Sequence, residues 1–119
     1  MTNKFDLTGK VALITGAAGL LGVKHAEALL SIGADVILTD VDAEKLDKIR
    51  RRLKIATKSS RVLSKVMDVS KESEILKVSR ELQQDGVRVD ILINNAAIDP
   101  KVKEEKNIKE IARLENFSV

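Results

Sequence analysis

Cysteine is absent from this chain of 119 residues. The absence excludes disulfide bonds and thiolate metal sites, and it gives no support for secretion into an oxidising environment. His25 is the only histidine. A histidine without a second His or Cys ligand more often packs against the protein or faces solvent than binds a metal ion. We therefore predict no metal site.

Aromatic residues are almost as scarce, because Phe5 and Phe117 are the only ones. The core must therefore be built from Val, Ile, Leu and Ala. Proteins bind single-stranded nucleic acid largely by stacking bases on aromatic side chains, so this scarcity argues against nucleic acid as a partner. The chain also has no tyrosine. A phenol is thus missing as acid or base from any chemistry that the chain performs alone.

Long hydrophobic runs are missing as well. No apolar stretch approaches the ~20 residues that a transmembrane helix needs, and the start of the chain lacks the hydrophobic region of a signal peptide. The formal net charge is a modest +3, with basic and acidic residues interleaved along the predicted helices. From these features we expect a cytoplasmic protein that has neither a membrane nor a nucleic acid as its partner.

Apolar runs and amphipathic segments alternate regularly along the chain. Strands are predicted at 11–15, 35–39, 61–67 and 89–93, and helices at 20–32, at 45–53, after Ser70 and at 103–114. Near-continuous apolar strands that alternate with helices indicate a parallel sheet covered on both faces. With right-handed crossovers, the expected fold class is α/β: a single domain (1–119) with a Rossmann-like doubly wound parallel sheet, truncated, with strand order 3-2-1-4.

The predicted helices carry further predictions about their caps and faces. Asp42 suits the N-cap of the second helix and Ser70 that of the third, while Gly33 suits the end of the first. The residues spaced to form the buried faces are Leu21, Ala28, Leu29 and Ile32 in the first helix, Leu46, Ile49 and Leu53 in the second, and Ile75, Leu76, Val78, Ser79 and Leu82 in the third.

A glycine-spaced loop, Thr15-Gly-Ala-Ala-Gly-Leu-Leu-Gly22, joins the first strand to the first helix. Gly16 would make the tight turn out of the strand, Gly19 would let the backbone approach a phosphate, and Gly22 would let the helix pack close to the sheet. This order brings backbone N–H groups at a helix N-terminus against a pyrophosphate. A glycine-rich turn without a ligand is the alternative. A nucleoside-triphosphate loop is disfavoured because no Gly-Lys-Ser/Thr ending follows.

Asp40 follows the second strand, slightly beyond the ~20 residues at which a dinucleotide fingerprint places its acid. Its carboxylate would accept hydrogen bonds from the adenosine ribose hydroxyls and repel a 2′-phosphate, which favours NAD over NADP. The alternative is that Asp40 only opens the turn before Asp42.

Three segments of the chain are distinctive together: Leu7-Thr-Gly-Lys-Val-Ala-Leu-Ile-Thr-Gly16, Met67-Asp-Val-Ser70 and Val89-Asp-Ile-Leu-Ile-Asn-Asn-Ala-Ala97. In this order they resemble the short-chain dehydrogenase/reductase family. The first resembles the family's opening, the second its adenine-contacting segment, and the third its Asn-Asn-Ala-Gly motif. The resemblance covers the chain from Phe5. Ile98-Asp-Pro-Lys-Val102 also resembles members associated with surface-sugar or flagellin modification.

The resemblance implies roles for residues that spacing alone does not assign. Asp68 would accept from the adenine amino group, Val69 would line the base, and 94–97 would run beside the cofactor ribose. A helix-capping acid and a structural Asn turn are the respective alternatives. The predicted cofactor-binding residues are Gly16, Ala18, Gly19, Leu20, Leu21, Gly22, Asp40, Val41, Asp68, Val69, Asn94, Asn95, Ala96 and Ala97, and none is assigned to catalysis.

Two departures from the family pattern limit the functional interpretation. The spacing Gly-x-x-Gly-x-x-Gly resembles the extended branch of sugar-nucleotide epimerases and dehydratases, whereas the Asn-Asn-Ala motif resembles the classical dehydrogenases. The family's catalytic Tyr-x-x-x-Lys pair is absent, since the chain has no tyrosine. The sequence therefore predicts the dinucleotide-binding front portion of a longer NAD-dependent oxidoreductase that transfers hydride between a secondary alcohol and nicotinamide. The alternatives are a catalytically inactive nucleotide-binding or regulatory module and an epimerase/dehydratase-like member. Self-association through an uncovered fourth strand is also expected.

Overall fold

A computed structural model describes residues 6–58 and 61–96. In chain order the elements are β1 (Val11–Thr15), α1 (Leu20–Ser31), β2 (Asp35–Asp40), α2 (Ala43–Thr57), β3 (Val62–Val66), α3 (Glu72–Gln84) and β4 (Ile91–Asn94). The predicted alternation is confirmed, with boundaries shifted by a few residues. The predicted helix at 103–114 lies outside the described residues.

The four strands form one parallel sheet in the order β3-β2-β1-β4, as the sequence predicts. Leu13 in β1 pairs with Ile37 in β2 and with Leu92 in β4, and Ile37 pairs in turn with Leu63 in β3. Parallel strands in this order place all four carboxyl ends along one edge of the sheet. From β1 the strands β2 and β3 are added on one side, and β4 is added on the other side of β1. The switch point of the sheet therefore lies between β1 and β4, the position at which doubly wound folds bind their ligands.

Helices cover both faces of the sheet, which explains why β1 and β2 are buried at consecutive positions. On one face, α1 and α2 pack over β1, β2 and β3, and the buried side chains are Ile14, Ala17, Ala26, Leu30, Val36, Leu38, Leu46, Ile49, Leu53 and Val62. On the other face α3 packs over a second cluster, Leu13, Ile37, Met67, Ile75, Val78, Leu82 and Val89. The predicted buried faces of α2 and α3 are confirmed, although Leu76 is only partly buried.

The predicted buried face of α1 is only partly correct, because Leu29 packs partly buried against the core but two other predicted residues do not. Leu21 and Ala28 are exposed, whereas Gly22, Ala26 and Leu30 are the buried residues. Apolar side chains occur nearly all around this helix, so its sequence pattern does not define a single face. The small residues Gly22 and Ala26 allow a closer approach than leucine would, and they decide which face packs.

The helix ends agree with the sequence at two positions and differ at a third. The Asp42 carboxylate caps α2 by accepting from the Lys45 N–H at 3.1 Å, and Gly33 leaves α1 with φ +100°. Ser70 does not cap α3, because Lys71 occupies the N-cap position and makes no side-chain cap. The Ser70 hydroxyl instead donates to Asp68 Oδ1 at 2.6 Å.

Three further findings concern only residues 6–58 and 61–96. None of the helices there is both long and apolar enough to cross a bilayer. No group of three or more His, Asp or Glu side chains in this part is arranged to hold a metal ion. Every buried side-chain nitrogen or oxygen in it has a hydrogen-bond partner, so its core contains no unpaired polar side chain that would call for a bound ion.

Candidate dinucleotide-binding site

The residues predicted to bind a cofactor meet along the carboxyl edge of the sheet. Hydrogen bonds join neighbouring strands just where they end. The Ala96 N–H donates to Thr15 Oγ1 at 3.2 Å, the Ala17 N–H donates to the Thr39 carbonyl at 2.9 Å, and the Met67 N–H donates to the Asp40 carbonyl at 3.0 Å. The glycine loop therefore lies at the centre of this edge, between the segment after β4 on one side and the ends of β2 and β3 on the other.

Gly16 makes the turn out of β1, as predicted. Its φ is +62°, a left-handed conformation that side chains disfavour. A Cβ on this residue would lie 2.7 Å from the Ala96 Cα and 2.9 Å from the Ala96 nitrogen. Both atoms belong to the backbone, so a side chain at this position could be accommodated only by moving the two strand ends apart.

The other two loop glycines differ from each other. A Cβ on Gly22 would lie 2.7 Å from the Ala17 Cα and 2.8 Å from the Gly16 carbonyl oxygen, so Gly22 packs against the loop. The predicted close packing is therefore real, but its partner is the loop and not a strand. A Cβ on Gly19 would meet only the Gly16 carbonyl oxygen, at 3.6 Å, and the φ of Gly19 is −81°. The fold itself thus has no steric need for glycine at this position.

The N-terminus of α1 is open. Its N-cap residue, Gly19, provides no side-chain hydrogen bond, and the first turn contains no acidic residue. By contrast, α2 carries the Asp42 cap and Glu44 in its first turn. The first N–H groups of α1 can therefore donate to an external anion, which the positive end of the helix dipole also favours. Leu20 and Leu21, which begin the helix, are 81% and 59% exposed.

Asp40 is an acidic residue that hydrogen-bonds to the glycine loop just before this helix. Its Oδ2 accepts from the Ala18 N–H at 3.0 Å, and its Oδ1 accepts from the Asp42 N–H at 3.1 Å. The alternative interpretation, in which Asp40 opens the turn before Asp42, is thus partly correct, but the carboxylate also contacts the glycine loop. Val41 follows it with a side chain that is 63% exposed.

Asp68 lies just past the end of β3, next to the end of β2. Its Oδ1 accepts from the Ser70 hydroxyl and, at 2.9 Å, from the Ser70 N–H. The hydrogen bond from the Ser70 hydroxyl, followed by that from the N–H, holds the pKa of Asp68 below its usual value of 3.8. The Asp68 N–H donates to Glu74 Oε1 at 3.0 Å. Val69 packs against the cluster under α3.

Thr15, which the sequence analysis does not single out, joins β1 to the segment after β4. Its buried hydroxyl accepts from the N–H groups of Asn95 at 3.0 Å and Ala96 at 3.2 Å, and it donates to the Ile93 carbonyl at 3.4 Å. The Asn95 side-chain amide adds a bond to the Gly16 carbonyl oxygen at 3.3 Å. This segment is thereby fixed against the glycine loop. Asn94 is exposed at the end of β4, and Ala97 lies outside the described residues.

The family follows from a comparison of the whole sequence with known families. The short chain dehydrogenase model matches residues 10–118. The chain belongs to the short-chain dehydrogenase/reductase family. The resemblance inferred from the three sequence motifs is therefore confirmed, and the carboxyl edge described above belongs to a fold of this family.

Known members share both sequence and fold with this short-chain dehydrogenase/reductase chain. A short-chain dehydrogenase/reductase of Gibberella zeae is 38% identical over 93 residues, which cover 78% of this chain and 33% of the relative. The structure of the Pseudomonas aeruginosa RhlG/NADP active-site complex superposes with a TM-score of 0.74 at 30% identity, covering 93% of this chain and 43% of that one. NAD+-bound xylitol dehydrogenase superposes with a TM-score of 0.70 at 31% identity, covering 81% and 35%.

The lengths of these proteins differ from that of the present chain. The matched region spans 33%, 35% and 40% of the first three curated relatives. The similarity therefore concerns about a third of the length of each relative.

Proposed function

We propose that this chain binds NAD along the carboxyl edge of its sheet, with the pyrophosphate at the N-terminus of α1. The open, uncapped end of that helix is the observation that carries the proposal. Gly19 supports it, because the fold has no steric need for glycine there and a ligand that touches the backbone does. Gly16, Ala18, Leu20, Leu21 and Gly22 complete the contact surface.

The choice of NAD over NADP rests on the charge of Asp40. Both an NADP complex and an NAD+ complex occur among the similar structures, so the fold alone does not decide between them. A carboxylate has about four acceptor positions, and the two N–H groups bonded to Asp40 leave two for the ribose hydroxyls. A 2′-phosphate at the same place would face a like charge.

The same arrangement suggests where the adenine and nicotinamide ends of NAD bind. Asp68 would accept from the adenine amino group through its second carboxylate oxygen, with Val41 and Val69 beside the base. The segment 94–97 would lie beside the cofactor ribose, and the bonds to Thr15 and Gly16 hold Asn95 and Ala96 in place. When bound, NAD supplies hydride chemistry. These residues supply binding and orientation only.

For the whole protein we propose hydride transfer between a secondary alcohol or ketone and nicotinamide. Residues 1–119 would form its single NAD-binding Rossmann domain, the front portion of a longer cytoplasmic enzyme. The chain has no tyrosine, so a Tyr-x-x-x-Lys pair would have to lie elsewhere in that enzyme, and the chain alone would be inactive. The match to the short chain dehydrogenase model supports an oxidoreductase over the epimerase/dehydratase alternative.

Titrating Asp40→Ala with NAD and NADP tests the cofactor assignment. Hydrogen bonds to charged groups contribute about 1.5–3 kcal/mol, so NAD affinity should fall about 10- to 100-fold. NADP should lose less because a repulsion is also removed. Both cofactors contact the same glycine loop, so the ratio of their dissociation constants reports the ribose end. An unchanged ratio would refute the role of Asp40 in selectivity.

A catalytically inactive nucleotide-binding module is the second candidate, and the absence of tyrosine favours it. Both candidates predict that the chain binds NAD. They differ for the protein expressed from its complete coding sequence, which reduces NAD in the presence of a secondary alcohol only if it is the oxidoreductase. NAD binding without reduction across a panel of secondary alcohols would favour the module.

A further inference from the structure

The Asp40 carboxylate joins two segments that are distant in sequence. Oδ2 accepts from the Ala18 N–H at 3.0 Å, within the glycine loop, and Oδ1 accepts from the Asp42 N–H at 3.1 Å, within the turn into α2. An adjacent backbone bond runs from the Ala17 N–H to the Thr39 carbonyl at 2.9 Å. Two consecutive loop residues are therefore bonded to two consecutive residues at the end of β2.

We propose that Asp40 is a positioning residue for the glycine loop as well as a ribose acceptor. In this role the carboxylate fixes Ala18 before any cofactor arrives, and thereby holds the N-terminus of α1 in the conformation that receives a diphosphate. The positioning role stands on the geometry of the ligand-free chain. Its effect on nucleotide affinity rests on the proposed function.

Ala17 is buried in the core and Ala18 packs partly buried against it, but few contacts hold the loop beyond Ala18. Gly19 has no side chain, its N–H makes a long bond of 3.3 Å to the Gly16 carbonyl, and the α1 N-cap lacks a side-chain bond. Leu20 and Leu21 are exposed and contribute little packing. The Ala18–Asp40 bond is therefore the side-chain contact that fixes the loop between its turn at Gly16 and the start of α1.

A carboxylate can accept from the Ala18 and Asp42 N–H groups through separate oxygens, whereas an amide cannot. Ionised Asp has two acceptor oxygens, and Asn has one acceptor oxygen and one donor group. Asn at position 40 could accept from the Ala18 N–H or from the Asp42 N–H, but not from both through separate atoms. Selectivity for NAD and order in the loop would then depend on the same side chain, so a substitution that removes this carboxylate would disturb both.

Amide hydrogen exchange of the ligand-free chain tests the positioning role directly. In Asp40→Ala the Ala18 amide should exchange about tenfold faster or more, since it loses a bond to a charged acceptor. Asp42→Asn is the matched control. It removes the same charge from the same turn and retains an N-cap acceptor for Lys45, and it should leave Ala18 exchange unchanged. Should Asp40→Ala fail to fold, Asp40→Asn replaces it, with faster exchange expected at Ala18 or Asp42.

Binding of 2′,3′-dideoxyadenosine diphosphate tests the consequence for nucleotide affinity. This probe keeps adenine and diphosphate but has no ribose hydroxyls for Asp40 to accept from. Removing a negative charge should by itself strengthen anion binding, as expected for Asp42→Asn. We nevertheless expect Asp40→Ala to bind the probe several-fold more weakly than the parent chain, because the loop is no longer held in place.

The outcomes separate this proposal from the proposed function. Unchanged Ala18 exchange in Asp40→Ala, or unchanged exchange at both Ala18 and Asp42 in Asp40→Asn, would overturn the positioning role, whatever the nucleotide data show. Faster exchange with equal or tighter probe binding would overturn its effect on affinity. If the parent chain bound neither the probe nor NAD, the proposed function would fail, while the exchange measurement would still decide whether Asp40 holds the loop.

Discussion

Alanine substitutions of the loop glycines separate the glycine that the fold needs from the one that a ligand needs. In Gly16→Ala the new side chain would adopt φ +62° and would lie 2.7 Å from the Ala96 backbone. The left-handed conformation costs roughly 1–2 kcal/mol and overpacking adds about 1–3 kcal/mol. The free energy of unfolding should therefore fall by about 2–5 kcal/mol, a large share of the stability of a small domain.

Gly19→Ala should behave differently. At φ −81° and ψ 165° alanine is unstrained, and its nearest neighbour would be 3.6 Å away. Alanine is a poorer N-cap than glycine, but it also restricts the unfolded chain, and these effects of about 0.5–1 kcal/mol oppose each other. The free energy of unfolding should stay within about 1 kcal/mol of the parent value, while NAD affinity falls at least tenfold because the methyl group occupies the approach to the backbone.

Gly86→Ala is the matched control, since Gly86 has φ +72° and a Cβ on it would meet nothing within 4 Å beyond its chain neighbours. Its free energy of unfolding should fall only by the cost of the left-handed conformation, about 1–2 kcal/mol. The difference in destabilisation between Gly16→Ala and Gly86→Ala then isolates the contact with Ala96. Urea unfolding followed by circular dichroism provides the measurement, because the chain has no Trp or Tyr for fluorescence. Equal destabilisation by Gly16→Ala and Gly19→Ala, or unaltered NAD binding by Gly19→Ala, would refute the reasoning.

The remaining predictions concern the strand ends, one carboxyl group and the sheet edge. Thr15→Val should lower the free energy of unfolding by about 1–3 kcal/mol because two N–H groups lose their acceptor. Thr15→Ser keeps a hydroxyl and should retain most of the parent's stability, and urea unfolding of both variants measures the difference. Ser70→Ala should raise the pKa of Asp68 towards 3.8, as NMR titration of its carboxyl carbon would show. Because the pKa of Asp68 is lower in the folded state, the Ser70–Asp68 contact stabilises the fold above the unfolded pKa, and this stabilisation is lost as the pH falls through the folded pKa. An unshifted pKa in Ser70→Ala would contradict the contact. Within the described residues β4 pairs only with β1, so sedimentation should show concentration-dependent self-association; a sharply monomeric, cooperatively melting chain would count against it.

The fold could be predicted from the sequence because the central strands β1 and β2 are buried on both faces. A strand buried on both sides must be apolar at consecutive positions, and Val11–Thr15 shows this pattern with the same bounds in the sequence and in the structure. The face of α1 could not be predicted in the same way. Its apolar residues surround the helix, and packing is decided by the small size of Gly22 and Ala26, which hydrophobic periodicity does not detect.

The candidate site was predictable where local sequence carries the signal. Spaced glycines and acids after strands are local patterns, and the structure brings the loop, Asp40 and Asp68 to one edge. Thr15 and Glu74 were missed. Thr15 looks like any other β-branched strand residue, and its partner Asn95 is 80 positions away. The bond between Ala18 and Asp40 likewise joins residues 22 positions apart, so only the paired strands reveal it.

Binding of NAD to the folded chain tests the central claim most directly. NAD would be titrated into isotopically labelled protein while the backbone amide signals are followed. The account predicts saturable shifts at the amides of Ala18 to Gly22 and of Asn94 to Ala96, with smaller shifts at the amino ends of the strands. A well-folded chain whose loop amides do not shift at millimolar NAD would contradict it.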